Sequence, residues 1–379
     1  MVFLRAMLKI VLYVVLGLFI MAAAIFAWAY HRVVYLPDIE PPAGATTAAR
    51  VATIDAYLQE LHADGRFNGA VLYLDGGAVH LDKTYGQRNA AGDTLRPGDM
   101  FRLASVSKQF TAATVLRAAA LGHLELDQPV GELLELDYPG VTVRHLLNQT
   151  SGIPDAYFEL ADTHRAAVGE VLTVGKVVEL MNRYGAAATA PPGTTYAYSN
   201  TDYVLLAAAV EAATDTTLEA FAARELFAPL GMSRTRYFNL RSADADDDRL
   251  TESFNGILPE KPALPMTYLD GVAGDGGVFA AAGDFVKWHE FWKGGHGLVP
   301  DDLLRQAFDP PVLGDGKPSH YGFGWVVRDD ESHWHNGAWL GARTYVYRDP
   351  ARDRLLVLLD NSNNTRIDDI AEQISGVLP

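Results

Sequence analysis

The alternation of apolar and polar residues changes character several times along this chain. From Ile10 to Tyr30 it runs 21 residues without a formal charge, and no helical face of that run is polar. At about 1.5 Å per residue such a helix is roughly 30 Å long, enough to cross the hydrocarbon of a bilayer. Residues 31–50 lose periodicity, with Pro37, Pro41 and Pro42 among small residues, which predicts a linker. Thr53 to His62 places Ile54, Leu58 and Leu61 on one helical face. Phe67 to Leu74 and Ala78 to Tyr85 flank Asp75-Gly76-Gly77, which predicts a hairpin.

After Phe101 the period becomes helical. Helices are expected over Ser105–Leu121, Thr142–Asn148 with Thr142 as cap, Val171–Tyr184, Asp202–Ala213 and Leu218–Phe227. Residues 240–265 are acidic and proline-containing, which reads as surface loops. Asp284–Lys293 returns to helix with Asp284 as N-cap. Strand signals follow at Gly324–Val327, Thr344–Tyr347 and the wholly apolar Leu355–Leu359, and Arg366–Val377 closes as an amphipathic helix. This order predicts an α+β fold: a sheet domain with an all-helical insertion at roughly 104–240. The expected domains are an anchor or signal segment at 1–30, a linker at 31–50 and one folded domain at 51–379.

Composition narrows the function. The formal net charge is −16 and there is no cysteine. An acidic surface repels phosphate backbones, so no nucleic-acid partner is expected. Thiol chemistry and thiolate metal sites are excluded. Arg5 and Lys9 precede the apolar run and favour a cytoplasmic N-terminus, so the expected location is membrane-anchored with the folded domain periplasmic or extracellular. Ala27-Trp28-Ala29 has the small-x-small form of a cleavage site, and secretion after cleavage is the alternative.

The candidate chemistry begins at Ser105-Val106-Ser107-Lys108, where a helix opens. Positions i and i+3 share a face, so the Ser105 hydroxyl and the Lys108 amine can meet. A serine is a weak nucleophile until a neighbour takes its proton, and a neutral lysine amine does so. A helix start also leaves backbone N–H groups free beside Ser105 for an oxyanion. Taken alone the motif is also a serine cap followed by a solvated lysine. Two more sets stand downstream. Tyr198-Ser199-Asn200 offers a phenol for proton relay and an amide to orient Lys108 or a substrate carbonyl; a turn with a capping asparagine is the bland reading. His335-Asn336-Gly337 stands ahead of a strand, with the Ala338 N–H as second oxyanion donor; an ordinary half-buried histidine is the bland reading.

The order S-x-x-K, Y-x-N, H-x-G resembles the serine β-lactamase and penicillin-binding-protein superfamily, above all class C β-lactamases and the related D,D-carboxypeptidases, D-aminopeptidases and esterases. Phe101–Thr111 is similar to that family's nucleophile block. Leu146–Pro154, Pro192-Gly193, Gly274–Phe279 and Tyr321–Trp325 follow its pattern as well. The resemblance covers roughly residues 50 to 379. It implies an antiparallel sheet flanked by helices and built from both chain ends, a helical domain beside it with the site in the cleft between them, Ser105 as acylated nucleophile, and Lys108 and Tyr198 sharing base and acid duty. It further implies Asn200 on the substrate amide, His335 and Gly337 lining the cleft, and Ser105 and Ala338 N–H groups as oxyanion hole. Two departures bear on substrate: histidine replaces the common lysine at His335, and Ala156 stands where class C enzymes tend to carry glutamine. Both point away from efficient antibiotic hydrolysis.

The expectation is a membrane-anchored serine hydrolase of amides or esters, its substrate a small molecule or peptide and its cofactors none, since serine acyl transfer requires none. The alternatives are a β-lactamase and a catalytically silent penicillin-binding sensor or scaffold; about nine residues precede the span, which weakens a signalling role. No G-x-S-x-G elbow occurs. His333 and His335 share one strand face without a third ligand nearby, and the Gly271–Gly277 run lacks a phosphate-loop lysine. Substrate choice is expected in loops near 155–165 and 240–270.

Overall fold

The computed structural model describes residues 2–240, 248–256, 258 and 260–378. Most of the acidic loop expected after residue 240, positions 241–247, lies outside the described residues, as do 257 and 259.

A helix runs from Val2 to Val33, and its Met7–His31 stretch is apolar and long enough to cross a membrane, with none of it buried against the rest of the chain. The expected linker is shorter than residues 31–50, because this helix continues to Val33 and the next, Thr47–Ala63, is capped by the Thr46 side chain. The connection is docked rather than free. Arg66 donates to the Tyr35 carbonyl at 2.8 Å, and Leu36 and Ile39 pack on the domain core.

Among the described residues there are nine strands: β1 (Gly69–Asp75), β2 (Ala78–Tyr85), β3 (Phe101–Arg102), β4 (Thr235–Tyr237), β5 (Val278–Ala280), β6 (Val326–Val327), β7 (His333–Trp339), β8 (Ala342–Asp349) and β9 (Arg354–Asp360). Six of them form an antiparallel sheet in the order β2-β1-β9-β8-β7-β6, so both chain ends build it. Gly76 and Gly77 both take positive φ in the β1–β2 turn, the two-residue hairpin geometry that their sequence implied.

Successive residues of a strand face opposite sides, and here both sides are covered. Val71, Tyr73, Leu356 and Leu358 meet Ile54, Leu58, Ile370 and Ile374 of the Thr47–Ala63 and Ile367–Val377 helices. Leu72, Leu74, Leu355, Val357 and Leu359 join the larger core that continues into the helical domain. That is why Leu355–Leu359 is apolar without alternation.

The helical block surrounds Asn200–Thr214, buried continuously from Thr201 to Val210, where alanines let neighbours approach. The expected Leu218–Phe227 helix forms, with its second half wound as a π turn. Val171–Leu172 is not helical; that helix starts at Val174 behind a Thr173 cap.

Three expectations need correction. Asp284 opens its helix but does not cap it; its carboxylate accepts instead from Arg234 N at 2.8 Å and Thr235 Oγ1 at 3.0 Å, which ties the helix to β4. His335-Asn336-Gly337 lies within β7, not ahead of it. Only Val326–Val327 of the Gly324–Val327 signal pairs, because Gly324 turns the chain at φ +74°. A second small sheet, β3-β5-β4, was not foreseen.

Candidate active site

β3 delivers the chain to Leu103, and Ala104 then adopts φ +49° before Ser105. A left-handed alanine is uncommon and sits where the surrounding structure holds it. Ser105 falls in a single 3₁₀ turn, Ala104–Val106, from which the Ser107–Ala120 helix continues. Ser107 Oγ accepts from Val278 N at 3.1 Å, so the second serine of the motif fastens this turn to β5.

Lys108, fully buried, returns its amine to the nucleophile. Nζ lies 3.3 Å from Ser105 Oγ, 2.8 Å from Asn200 Oδ1 and 3.1 Å from the Asp275 carbonyl oxygen. Three oxygens suit the three protons of an ammonium. The neutral amine would keep two donors for Asn200 and Asp275 and turn its lone pair to the Ser105 hydroxyl, the longest of the three contacts. Asn200 is the first residue of its helix and Ser199 is the cap, its Oγ accepting from Asp202 N at 3.1 Å. The Asn200 amide is therefore free to work in the site. Its Nδ2 donates to Asp155 Oδ2 at 3.1 Å, which fixes the carbonyl end toward Lys108. The Tyr198 ring lies under Lys108 Nζ at 4.8 Å from its centroid.

β7 closes the other side. β6 pairs only with His333 and Trp334, so the run from His335 to Trp339 is an open edge. A Cβ on Gly337 would lie 2.4 Å from the Leu103 carbonyl oxygen and 3.0 Å from Ser105 N. Glycine is needed there so that β7 can touch the nucleophile turn. This corrects the expectation that Gly337 lines the cleft for substrate. Ala338, next along, faces the cleft together with Ser105.

His335 does not line the cleft either. It is buried behind Tyr198 and Tyr321. Its Nδ1 lies 2.6 Å from the Asn336 carbonyl oxygen, which can only accept, so Nδ1 carries the proton. Nε2 is then an acceptor, and Tyr321 donates its hydroxyl to it at 3.1 Å. Burial, with the charge of Lys108 adding to it, pushes the His335 pKa down to about 3. The imidazole is neutral and supplies no cation. His333 is also buried, stacked on Phe308 at 4.0 Å. Among the described residues no group of three potential metal ligands gathers anywhere.

The cleft above these groups has a volume of about 260 Å³. One wall is aromatic: Tyr157 stacks on Phe158 at 4.0 Å, and Phe158 on Trp339 of β7 at 5.3 Å, which links the helical domain to the sheet. Sequence reasoning missed the Arg102–Asp270 pair at 2.5 Å, and the carboxyl of Asp275, which accepts from the Tyr157 hydroxyl at 2.7 Å. A lone acid inside the Gly274–Gly277 run was the available signal. Burial raises the Asp275 pKa above its ordinary value, against the opposing effects of Lys108 and Tyr157.

The family model for Beta-lactamase matches residues 54–374. The chain belongs to the Beta-lactamase family. Within it, the chain is 31% identical over 319 residues to penicillin-binding protein 4* of Bacillus subtilis, covering 78% of this chain and 68% of that one. It is 28% identical over 260 residues to a D-aminopeptidase of Gluconobacter oxydans, covering 68% of this chain but only 48% of that protein. The octameric penicillin-binding protein homologue from Pyrococcus abyssi superposes with a TM-score of 0.73 at 23% identity, over 86% of this chain and 77% of that one, which shows the shared fold. This Beta-lactamase member is a serine hydrolase of the penicillin-binding-protein kind.

Proposed function

We propose that this protein is a membrane-anchored serine hydrolase that cleaves an amide or ester through an acyl-enzyme on Ser105. The observation that carries the reading is the buried Lys108 amine, 3.3 Å from Ser105 Oγ and held at 2.8 Å by Asn200. In this reading Ser105 Oγ attacks the scissile carbonyl as its proton passes to Lys108 Nζ. The Ser105 and Ala338 N–H groups take up the oxyanion. Lys108 and Tyr198 return a proton to the leaving group, and water then releases the acyl group. Asn200 holds Lys108 by its carbonyl and keeps one N–H for the substrate.

A neutral His335 suits amides and esters without a carboxylate beside the scissile bond. The D-aminopeptidase relative supports a D-amino-acid peptide as substrate, and the penicillin-binding relative supports acylation by penicillin. The apolar helix supports anchoring, with the folded domain outside the cytoplasm.

The test compares wild type with Ser105→Ala on p-nitrophenyl acetate, a D-Ala-D-Ala peptide and nitrocefin. Wild type should turn over at least one of them, and the variant should lose at least about 10³-fold. A fluorescent penicillin or fluorophosphonate should label Ser105. No turnover and no label would make this a silent scaffold.

A further inference from the structure

The two N–H groups proposed for the oxyanion come from separate strands. Ser105 belongs to the turn that follows β3, and Ala338 to β7. The register shows why Ala338 is available. β7 and β8 are joined by Leu340 and Gly341, both at positive φ, with Trp339 opposite Ala342. In a two-residue hairpin of this kind the flanking pair is the hydrogen-bonded one, so the next pair, Ala338 and Arg343, is not bonded across the ladder. The Ala338 N–H therefore points away from β8, toward the open edge. Among the described residues no strand covers that edge beyond Trp334. Contact between Gly337 and the nucleophile turn limits how close the two strands come, but not how far they separate. Thr344 Oγ1 donates to the Leu103 carbonyl at 2.8 Å, which ties that turn to β8 rather than to the tip of β7.

Asp270 supplies a tie at the tip. Its Oδ1 accepts from Arg102 Nη1 at 2.5 Å and from Trp339 Nε1 at 2.8 Å. Arg102 stands three residues before Ser105, and Trp339 one residue after Ala338. One carboxylate oxygen thus joins the two strands that carry the two donors. Oδ2 is held by its own turn, Tyr268–Gly271, where it accepts from Thr267 N at 2.6 Å. That turn is fixed in its place. Leu172 N donates to the Tyr268 carbonyl at 2.8 Å and Leu240 N to the Asp270 carbonyl at 3.1 Å, while a Cβ on Gly271 would lie 2.1 Å from Val171 Cγ1. Each partner is braced as well: the Arg102 guanidinium lies 5.2 Å from the Phe279 ring centroid, and Trp339 stacks on Phe158 at 5.3 Å. Arg102 and Asp270 are both buried, so the charge-assisted bond is shielded from water and salt.

We propose that Asp270 is a positioning residue that holds the Trp339 end of β7 to the Arg102 end of β3 and so fixes the gap between the Ser105 and Ala338 N–H groups. This rests on the reading of Ser105 as nucleophile and of those two groups as its oxyanion site. Asp270 acts through the strands, not on the reacting atoms. A wider gap weakens the grip on the tetrahedral intermediate and leaves the binding of ground-state substrate the same. Acylation and deacylation both pass through an oxyanion, so both slow together and KM stays.

The experiment uses the full-length chain in detergent and compares wild type, Asp270→Ala, Trp339→Phe and the double variant. Trp339→Phe keeps a ring for Phe158 and loses the Nε1–H. The readouts are kcat and KM on p-nitrophenyl acetate and the Ki of phenylboronic acid, whose boron takes Ser105 Oγ as a fourth ligand and becomes a tetrahedral anion. Rates are expressed per site titrated to completion with a fluorophosphonate, so unfolded protein drops out. Asp270→Ala should lower kcat by about 10²-fold and raise Ki by a similar factor, with KM within about twofold of wild type. Trp339→Phe should lose about tenfold, and less than about twofold in the Asp270→Ala background, since both changes break the same tie. Should Asp270→Ala fold too poorly to titrate, Trp339→Phe decides alone, by a kcat loss at unchanged KM or by none. Wild-type kcat per titrated site, a rise in KM alone, or full additivity of the two changes would each overturn the role of Asp270 while wild-type turnover keeps the serine mechanism standing. A wild-type chain with neither turnover nor Ser105 label would overturn both.

Discussion

Gly337 and Ala104 set the distance between the nucleophile and the edge of the sheet. Ala104 bends the chain at φ +49°, and Gly337 lets β7 lie against the bend with Leu103 O and Thr344 Oγ1 both 2.4 Å from where a Cβ would stand. Gly337→Ala must push β7 away from Ser105 and separate the two N–H groups proposed for the oxyanion. Activity should fall by about 10²-fold or more, with a stability loss of about 1–3 kcal/mol. Steady-state kinetics and urea unfolding on one preparation check this; a variant with wild-type rate would show that β7 plays no part in the chemistry. Ser105, Lys108 and Asn200 were legible because their spacing is a chemical pattern. The left-handed Ala104 was not, since no residue type marks it. Asp275 was not, since an acid beside glycines reads as a turn.

His335 supplies a pH prediction at the same scale. Its pKa is about 3 in the folded chain, against an ordinary value of about 6.5 when unfolded. Between those values the unfolded chain binds the extra proton, so stability is full above about pH 6.5 and falls as pH drops toward 3. At pH 5 this one group should cost about 2 kcal/mol relative to pH 7.5. His333, held down to about 3 by burial and then by the charge of Arg348, adds an effect of the same sign. His335→Gln cannot titrate, so its urea-unfolding stability should change less between pH 7.5 and 5 than that of wild type. An equal change in both proteins would sink the assignment of His335 as a buried neutral group.

At the scale of elements, long periodic segments were legible and short ones were not. β1, β8 and β9 announced themselves because a strand packed on one or both faces needs a run of apolar residues, and β2, mostly exposed, was marked by the glycine turn before it. β3, β4 and β5 have two or three residues each, too few for any period to show. The Ser107–Ala120 helix carries Lys108 at its start and the core at its middle. Phe110 stacks on Trp288 at 4.1 Å and meets Phe227 and Phe285 edge-on. Trp288 Nε1 donates in turn to Gln109 Oε1 at 3.2 Å. Phe110→Ala should cost about 3–5 kcal/mol, because this aromatic cluster cannot collapse into the space left. The loss should show in chemical unfolding, while Ser105 labelling of the folded fraction persists. A loss under about 1 kcal/mol would mean that the neighbours relax into the gap.

The whole molecule joins an apolar helix to a folded domain through a docked segment, and the strand registers place that segment relative to the site. Gly69 pairs with Asp360, Asp360 with Arg343, and Arg343 with Ala338. The start of β1 and the end of β7 therefore share one end of the sheet, three strands or roughly 15 Å apart. Arg66, just before β1, holds the Tyr35 carbonyl at 2.8 Å. The connection to the apolar helix thus leaves from the end of the sheet at which Ser105 sits. Two shortened chains separate anchoring from docking. On the proposed anchoring, the full chain should fractionate with membranes and a chain beginning at Val34 should not, while the two keep the same unfolding free energy. A chain beginning at Thr46 loses the packing of Leu36 and Ile39 and the Tyr35 carbonyl that satisfies the buried Arg66, and should be less stable by about 1–3 kcal/mol. Equal stability of the two would show that the segment is a passive tether. A mature N-terminus at Tyr30, read by mass spectrometry, would make the apolar helix a cleaved signal instead of the proposed anchor.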